Sequence, residues 1–384
     1  MVVIYYVNTY YLDAAIELLQ SIINDVELHV IIEISPESAT SNIIEVENLH
    51  NFNTIELPSI VLGIEKWNEL SKHFIGVASV HFAVFKSKKS ISIASLSTVN
   101  SIATLINTIK PNAIHFDSIT PRILGLLPYI FKKNIFITVH DPLPHSGEGS
   151  WKIKLTEFLY FSFSKGLFFY SNFAKKQFND SHFKFNAQQH TILFQPFSFL
   201  KQFKNTSSIT GNTILFFGRI VFYKGVDILL AAIPKVISKY PNEIFVIAGK
   251  LQDDILNINI LNKYPNNIQL LLHHIPTADL ATLIESSKFV VCPYRDATQS
   301  GVLMTANALG KTVVATNVGA FPEYILNDYN GLLSLPDADS IANTIIYALD
   351  NSKYINLELN VQSDQSPSIL TKNNKALIDA YTCY

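Results

Sequence analysis

The sequence predicts an α/β protein that consists of two doubly wound, Rossmann-like domains. Short apolar runs alternate with segments of helical spacing along nearly the whole chain, an order typical of a parallel sheet with helices on both faces. The chain has 384 residues, which is too long for one ordinary hydrophobic core and fits two domains. A polar, loop-like stretch at 196–211 divides the alternation into two halves.

The N-terminal half begins with a strand–helix–strand unit. Residues 2–7 form an apolar run, residues 13–23 have helical spacing, and residues 28–34 form a second apolar run. The helical pattern at 96–109 is stopped by Lys110-Pro111-Asn112, because proline cannot continue a helix without losing a hydrogen bond. The other predicted elements of this half are strands at 113–117, 134–139 and 167–170 and a helix at 172–178.

The C-terminal half repeats the alternation of strands and helices. We place an N-terminal domain at 1–200, a C-terminal domain at 208–365 and a C-terminal helix within 366–384, where residues 371–381 have helical character. The predicted strands of the second domain lie near 212–217, 244–248, 268–272, 288–292, 312–316 and 331–335, with helices between them.

Composition narrows the class of protein. Hydrophobic residues make up 48% of the chain and charged residues 16%, so a large core can form and disorder is disfavoured. The formal net charge of −2 argues against a nucleic-acid-binding protein. The two cysteines, Cys292 and Cys383, cannot supply a disulfide framework or a cysteine zinc cluster, so we expect a reducing, cytoplasmic compartment.

The apolar residues at the start of the chain do not predict a signal peptide. Residues 1–7 lack a basic segment and a small-residue cleavage site, and they fit the first strand of a domain. No stretch reaches the roughly 18 apolar residues that a membrane span needs. The mean hydropathy of +0.22 is high for a soluble enzyme, so we expect some apolar surface to contact a lipid or a partner.

The loop from Gly218 to Gly225 is the strongest functional signal in the chain. It carries Arg219 and Lys224, and it joins an apolar run at 213–217 to a helical segment. In open α/β sheets, ligands bind at the carboxyl ends of the strands, where the next helix presents free N–H groups and the positive end of its dipole. We therefore predict that this loop binds a phosphate or diphosphate. The alternative is a surface loop with solvated charges.

Two further blocks follow in order and at suitable spacing. Ser300-Gly301-Val302 stands where an apolar run passes into a helix, and Thr316-Asn317-Val318-Gly319 follows the next apolar run. Together with Gly218-Arg219 and Lys224-Gly225, these blocks resemble glycosyltransferase family 4, a group of retaining enzymes that use nucleotide sugars and have the GT-B fold. The resemblance covers about residues 212–335.

The resemblance implies an architecture and a reaction. Two Rossmann-like domains are expected to face each other across a cleft, with the acceptor on the N-terminal domain, the donor on the C-terminal domain, and the last helix packed back on the N-terminal domain. The implied reaction transfers a hexose from a UDP- or GDP-sugar to a glycan or lipid-linked saccharide, with retention, in cell-surface polysaccharide synthesis. No metal or cofactor is expected, since the family usually needs none and no Asp-x-Asp pattern ends a strand here.

The demands of this reaction indicate which side chains carry it. The leaving diphosphate gains negative charge in the transition state, so fixed positive groups beside it accelerate transfer. We assign catalytic roles to Arg219 and Lys224, and to His140, which by resemblance faces the donor sugar from the loop after the strand at 134–139. The residues expected at the donor diphosphate are Gly218, Arg219, Lys224, Ser300, Gly301 and Val302.

The sequence departs from the family pattern at the donor sugar. The family carries two glutamates around the turn before the Ser300 helix, and the corresponding positions here hold Ala297 and Thr305. Asp296 or Gln299 can cover the sugar from a neighbouring position, while Thr305 can offer the ribose one hydrogen bond but no carboxylate. By resemblance, the residues near the nucleobase are His274 and Ile275.

Candidates on the acceptor side are Asn8, His145 and Glu148. Asn8 follows the first predicted strand, and the other two lie in the Pro- and Gly-containing loop after the strand at 134–139. For His145 and Glu148, a purely structural role is an equal alternative. His115 and Asp117 also end a predicted strand, and for that pair a structural role is favoured.

Three alternatives stay open. Residues 124–131 with Lys132-Lys133, the aromatic stretch 158–170 and the basic run 86–89 form either an amphipathic surface for the inner membrane and a lipid-linked acceptor, or core aromatics with solvated lysines. The missing glutamates favour, as a rival function, a non-catalytic family member that binds nucleotide or glycan as a subunit. A nucleotide-sugar epimerase of the GT-B fold is the second rival.

Overall fold

The chain forms two compact units. The computed structural model describes residues 1–41, 43–143, 151–181, 184–203, 212–363 and 367–384. Contacts group Met1–Gln195 with Pro367–Tyr384, here called the N-terminal unit, and group Pro196–Ser366 as the C-terminal unit. The last helix of the chain is therefore part of the N-terminal unit.

The N-terminal unit is built on an eight-stranded sheet with the order β3-β4-β2-β1-β5-β6-β7-β8. Every neighbouring pair is parallel except β3–β4. The strands are β1 Val2–Asn8, β2 Glu27–Ile34, β3 Ile55–Glu56, β4 Ser79–Val84, β5 Ala113–Phe116, β6 Asn134–Val139, β7 Ser164–Phe169 and β8 Gln188–Thr191. The helices between them are α1 Leu12–Leu19, α2 Pro58–Leu62, α3 Ile64–Ser71, α4 Ile93–Ile109, α5 Leu127–Ile130, α6 Trp151–Phe163 and α7 Asn172–Ser181.

The C-terminal unit contains a six-stranded sheet, entirely parallel, with the order β11-β10-β9-β12-β13-β14. The strands are β9 Thr213–Phe217, β10 Ile244–Ala248, β11 Ile268–Leu271, β12 Ser287–Cys292, β13 Val313–Thr316 and β14 Gly331–Ser334. The helices are α8 Val226–Lys239, α9 Ile258–Lys263, α10 Thr277–Glu285, α11 Gly301–Ala308, α12 Phe321–Tyr324, α13 Ala338–Leu349 and α14 Lys353–Ser363. The predicted pair of doubly wound α/β domains is confirmed.

The central strands explain why the sequence shows continuous apolar runs rather than alternation. Strands in a parallel sheet are covered on both faces, so both sets of side chains are buried. In β9, all residues from Ile214 to Phe217 are at most 4% exposed. In β6, the residues from Ile135 to Val139 are buried as well, and Phe136 packs against the ring of Phe168 in β7 at 6.4 Å.

The last helix, α15 (Pro367–Thr382), is anchored to the N-terminal unit by buried and partly buried polar contacts. The hydroxyl of Tyr381 lies 2.5 Å from Nδ1 of the buried His115. The amide of Asn373 bonds both the N–H and the carbonyl of Leu193, each at 2.8 Å. Asn374 donates to the carbonyl of Ser21 at 2.6 Å.

Sheet order decides which loops meet. The strands β1, β5 and β6 are neighbours and parallel, so Asn8, Asp117 and His140 come to one edge of the first sheet. The strands β9 and β12 are neighbours in the second sheet, so the loop after Phe217 meets the loop after Cys292. Within the described part of the chain, no helix is both long and apolar enough to cross a bilayer.

Candidate functional site

The loop after β9 is built around a glycine that makes room for a lysine. Gly218 has φ +112°, a conformation that side chains disfavour. A Cβ at Gly218 would lie 2.8 Å from Nζ of Lys224 and 3.3 Å from Cγ2 of Val302. Gly218, Lys224 and Val302, three of the residues expected at the donor diphosphate, are therefore adjacent.

Lys224 is a buried cation. Its side chain is largely enclosed, with 8% of the residue exposed, and Nζ lies 5.3 Å from the centre of the Tyr294 ring. Burial, followed by the nearby Arg219 guanidinium, lowers the pKa of the Lys224 ammonium to about 8. Burial also raises the pKa of the Cys292 thiol to about 12, so that thiol is neutral and supplies no countercharge at pH 7. None of the ion pairs in the described residues includes Lys224.

The turn that carries Lys224 is clamped by Arg295. The guanidinium of Arg295 bonds both carboxylate oxygens of Asp227, at 2.9 and 2.6 Å, and donates to the carbonyl of Phe222 at 2.8 Å. It also lies over the Phe222 ring at 4.1 Å, and the backbone N–H of Arg295 donates to the carbonyl of Tyr223. Arg295 thus joins the loop after β12 to both sides of the Lys224 turn, a role that the sequence analysis did not predict.

Two glycines of this region meet backbone atoms at close range. Gly225 has φ +67°, and a Cβ there would lie 1.9 Å from the carbonyl oxygen of Pro293. Gly319 has φ +57°, and a Cβ there would lie 1.9 Å from the carbonyl oxygen of Ala297, whose carbonyl accepts from the N–H of Ala320 at 2.7 Å. The loops after β9, β12 and β13 are therefore packed together without intervening side chains.

The start of α11 is less tightly packed than the surroundings of Gly225 and Gly319. Ser300 caps the helix, since its hydroxyl accepts from the N–H of Leu303 at 3.2 Å. Gly301 is exposed, its φ is not positive, and the nearest atom to a Cβ there would be Phe197 at 3.7 Å. Among the described residues, no close contact requires a glycine at position 301, so its small size leaves the first turn of α11 open to a ligand.

The remaining donor-side candidates are distributed unevenly. Asp296 and Gln299 are half-buried in the loop between β12 and α11, and Thr305 is buried within α11, with 8% of the residue exposed. His274 is exposed and Ile275 is half-buried, and both follow the edge strand β11. In the sheet, β10 lies between β11 and β9, so His274 and Ile275 follow a strand that is not adjacent to the strand before the Gly218 loop.

In the N-terminal unit, His140 is held by a buried carboxylate. Nε2 of His140 lies 3.0 Å from Oδ2 of Asp117, and the hydroxyl of Tyr5 donates to the other oxygen, Oδ1, at 2.5 Å. The His140 ring stacks on the ring of Tyr11 with the centres 3.9 Å apart. Asp117, for which the sequence favoured a structural role, therefore sets the orientation of the predicted catalytic histidine.

His115 packs against Tyr5, which bonds Asp117, and so helps to hold the pair of Asp117 and His140 in place. It is fully buried between Tyr381 and Thr138, whose hydroxyl lies 2.8 Å from its Nε2, and it stacks on the ring of Tyr5 at 4.8 Å. Burial lowers the pKa of His115 to about 3, so the ring is neutral. The structural role favoured for His115 fits this placement.

A cavity of about 480 Å³ opens beside His140. Its lining includes Asn8 and His140 and also Glu157, a residue of α6 that the sequence analysis did not single out. Burial raises the pKa of Glu157 to about 7. The amide of Asn8 is already engaged, since it accepts from the N–H of Tyr10 at 3.0 Å and donates to the buried Glu33 at 3.2 Å.

Two acceptor-side candidates, His145 and Glu148, lie outside the described residues. In the part of the chain that the structure describes, no group of three or more His, Cys, Asp or Glu side chains is placed to hold a metal ion. The cavity lining is instead rich in hydroxyl groups, among them those of Ser35, Ser38, Ser118 and Thr120, and it also contains the ion pair of Arg122 with Glu37.

Comparison with known proteins supports this picture of the C-terminal unit. Residues 211–351 match the family model "Glycosyl transferases group 1". The phosphatidyl-myo-inositol mannosyltransferase of Mycolicibacterium smegmatis is 30% identical over 146 residues, which is 37% of this chain and 37% of that protein. The chain thus matches little more than a third of the length of this relative, and about a third of the length of two glycosyltransferases of Methanocaldococcus jannaschii.

Solved structures match over the full length. Anabaena Alr3699/HepE in complex with UDP has a TM-score of 0.68 at 15% identity, with 100% of each chain covered. The chain has the GT-B fold. Sucrose-phosphate synthase from Thermosynechococcus elongatus matches this GT-B chain with a TM-score of 0.67 at 14% identity, again over 100% of each chain. The fold predicted from the Gly218, Ser300 and Thr316 blocks is confirmed.

Proposed function

We propose that this GT-B protein is a glycosyltransferase that moves a hexose from a nucleoside-diphosphate sugar to a hydroxyl of a glycan or lipid-linked saccharide. The observation that carries the proposal is the enclosed ammonium of Lys224 at the end of β9, which has no carboxylate partner in the described residues. Burial of an unpaired charge is costly unless a ligand compensates it. A diphosphate is the ligand that fits, because the exposed first turn of α11 lies beside the same lysine.

The proposed mechanism places positive groups at the leaving group. Lys224 and Arg219 neutralise the charge that develops on the diphosphate, and the N–H groups of Gly301 and Val302 bind its oxygens. The departing phosphate then takes the proton of the acceptor hydroxyl on the same face of the sugar, so that the anomeric configuration is retained. No metal ion takes part in this scheme.

Two sets of residues are proposed to contact the donor sugar. One is His140, whose ring is held by Asp117, and the other is Gln299 or Asp296. Thr305 offers the ribose a single hydroxyl in place of a carboxylate. UDP is the first nucleotide to test, since the solved Anabaena relative binds it, and GDP is the second.

The proposed acceptor site is the cavity beside His140. Its mixture of hydroxyl, carboxylate and guanidinium groups suits the hydroxyls of a saccharide, and its volume of about 480 Å³ lies within the range of small-molecule sites. The name of the mycobacterial relative, a phosphatidyl-myo-inositol mannosyltransferase, motivates a test of lipid-linked acceptors. We place the reaction in the cytoplasm, in the synthesis of a cell-surface polysaccharide.

The test is a transfer assay with matched cation variants. UDP- and GDP-hexoses are incubated with the protein, in EDTA, together with saccharide and lipid-linked saccharide acceptors. Lys224→Met and Arg219→Ala should abolish transfer, while Lys235→Met, which removes an exposed lysine paired with Asp339 at 3.0 Å, should leave it unchanged. Transfer that survives both loop variants would show that another site catalyses it.

A second function is favoured by Thr305 and Ala297, which stand where the resemblance leads one to expect glutamates. In this alternative the protein binds a nucleotide or glycan as a non-catalytic subunit. The two functions differ in outcome: nucleotide binding that depends on Lys224, with no product from any acceptor and no conversion of the free nucleotide sugar, supports the subunit and also excludes the epimerase.

A further inference from the structure

We propose that the N-terminal unit docks on an anionic lipid bilayer through one face beside its cavity, here called the docking face. It consists of the outer side of α6, with Trp151, Leu155 and Phe158, and of the segment 88–93 at the start of α4. The docking itself is independent of catalysis. Its use, delivery of a lipid-linked acceptor into the cavity, rests on the proposed function.

The helix α6 is apolar on two sides, although a surface helix needs only one. Its inner side is buried through Thr156, Tyr160 and Phe161. Its outer side exposes 70% of Trp151, 40% of Leu155 and 45% of Phe158. At about 100° per residue, the three outer side chains fall within a stripe roughly 60° wide, so they form one continuous apolar ridge.

Lysines flank this ridge on both sides. Lys152 and Lys154 are exposed and lie about 100° and 60° from Trp151 in opposite directions around the helix. Nζ of Lys152 lies 5.9 Å from the centre of the Trp151 ring. An apolar stripe with a tryptophan, bordered by lysines, is the pattern of a helix that lies in a membrane interface.

The ridge borders the cavity. Ile153, Lys154 and Glu157 of α6 line it on one side, and Ser90 lines it from the segment before α4. That segment is also apolar and exposed, with Ile91 at 52% and Ile93 at 89% exposure, and it carries the exposed Lys88 and Lys89. The two parts of the docking face therefore flank one opening.

The charge of the docking face indicates that it binds an anionic surface. The chain has a formal net charge of −2, yet the exposed charges of the docking face are Lys88, Lys89, Lys152 and Lys154. Two of the carboxylates that line the cavity are compensated or partly neutral: Glu37 pairs with Arg122, and burial raises the pKa of Glu157 to about 7. Exposed apolar residues among lysines fit an anionic membrane surface better than an acidic protein or a second copy of this chain.

The position of the two tryptophans makes a direct measurement practical. Trp67 and Trp151 are the only tryptophans in the chain. Trp67→Phe leaves Trp151 as the single indole, because Trp67 lies in α3 and packs on Phe74 at 5.9 Å, away from the docking face. Vesicles of phosphatidylglycerol and phosphatidylcholine are added to this variant, with pure phosphatidylcholine vesicles as the control.

The expected result is a blue shift of the Trp151 emission with the anionic vesicles only, quenching by brominated acyl chains, and loss of both effects at high salt. In sedimentation with the same vesicles, Trp151→Ser with Leu155→Ser, and separately Lys89→Gln with Lys152→Gln, should each reduce binding at least tenfold. The matched control is Ile64→Ser with Lys66→Gln, which removes an exposed isoleucine and lysine from α3 and should have no effect.

Three outcomes would overturn the proposal: no shift with anionic vesicles, equal loss of binding in the α3 control, or a Trp151 shift that follows self-association in light scattering without lipid. Nucleotide binding by the wild type and by the docking variants is measured in parallel, and the docking variants should bind nucleotide normally. In the wild type, normal nucleotide binding without vesicle binding refutes the docking face alone, whereas vesicle binding without any nucleotide binding refutes the proposed function alone.

Discussion

Nζ of Lys224 occupies the space that a side chain at Gly218 would need, because a Cβ at that glycine would lie 2.8 Å from it. Gly218→Ala should therefore displace the lysine and also strain the backbone, whose φ is +112°. We expect nucleotide binding to fall at least tenfold and the free energy of unfolding to drop by about 1–3 kcal/mol. Calorimetric titration with nucleotide and chemical denaturation measure the two effects.

Gly301→Ala is the matched partner of that variant. A Cβ at position 301 meets nothing closer than 3.7 Å, so the free energy of unfolding should stay within about 0.5 kcal/mol of the wild type. Nucleotide binding should nevertheless weaken, since the added methyl group reaches the open first turn of α11. Unchanged binding in Gly301→Ala would remove this turn from the proposed diphosphate site.

Lys224 should make the protein less stable while it makes ligand binding possible. The pKa of its ammonium is lowered to about 8 in the folded state, so the unfolded chain holds the proton more tightly. As the pH increases above about 8, the folded lysine loses its proton and the free energy of unfolding rises. Lys224→Met removes a buried charge and should raise the free energy of unfolding by about 1–3 kcal/mol at pH 7. Denaturation at pH 7 and pH 10 should show that this gain shrinks at the higher pH.

The same pKa predicts how nucleotide affinity depends on pH. The ammonium form binds the diphosphate, so affinity should fall as the lysine loses its proton above about pH 8. Calorimetric titrations at several pH values, with proton uptake obtained from buffers of different ionisation enthalpy, measure this. In Lys224→Arg the decline should move to higher pH, and a decline at the same pH would assign it to another group.

Arg295 should affect nucleotide binding without touching the nucleotide. Arg295→Ala frees Asp227 and the carbonyl of Phe222, so the Lys224 turn loses its clamp. We expect nucleotide affinity to drop about tenfold, and Arg295→Lys to recover only part of it because lysine cannot bond both carboxylate oxygens in parallel. Lys235→Ala, which breaks an exposed ion pair in the same unit, is the control and should bind nucleotide normally. If Arg295→Ala binds nucleotide as tightly as the wild type, the Lys224 turn keeps its conformation without Arg295.

Asp117 should act on transfer through His140. In the wild type, each oxygen of the Asp117 carboxylate accepts one hydrogen bond, from Tyr5 and from His140. In Asp117→Asn, the amide N–H₂ cannot accept a hydrogen bond, so one of these two donors loses its partner. We expect kcat to fall about 10- to 100-fold because the histidine is displaced, with nucleotide affinity unchanged because the diphosphate site is in the other unit. A parallel loss of nucleotide affinity would indicate that the variant disturbs the whole fold.

Most of the fold follows from local patterns, and the exceptions have a physical cause. The strands at 134–139 and 244–248 were predicted at their observed bounds, since buried parallel strands are continuous apolar runs. The edge strand β8, Gln188–Thr191, is polar and partly exposed, so it gives no such signal. The helix α6 has apolar residues on its inner and outer sides, and this masks the period that a half-buried helix shows.

The candidate site likewise has one part that the local sequence predicts and another part that depends on the assembled fold. The loop from Gly218 to Gly225 could be predicted because glycine, arginine and lysine stand together in the sequence. The contact of Asp117 with His140 and that of Arg295 with Asp227 could not, because they span 23 and 68 residues and depend on which strands are neighbours. The cavity wall formed by α6 and the loop before α4 likewise exists only once the sheet is assembled.

The central claim is that the buried Lys224 ammonium binds the diphosphate of a nucleotide sugar. Thermal unfolding in EDTA with UDP, GDP and ADP, compared between the wild type and Lys224→Met, tests it most directly. One nucleotide at about 100 times its Kd should stabilise the wild type by about 2.7 kcal/mol and should leave Lys224→Met unshifted. Absence of a shift with every nucleotide, or an equal shift in the variant, would contradict the account.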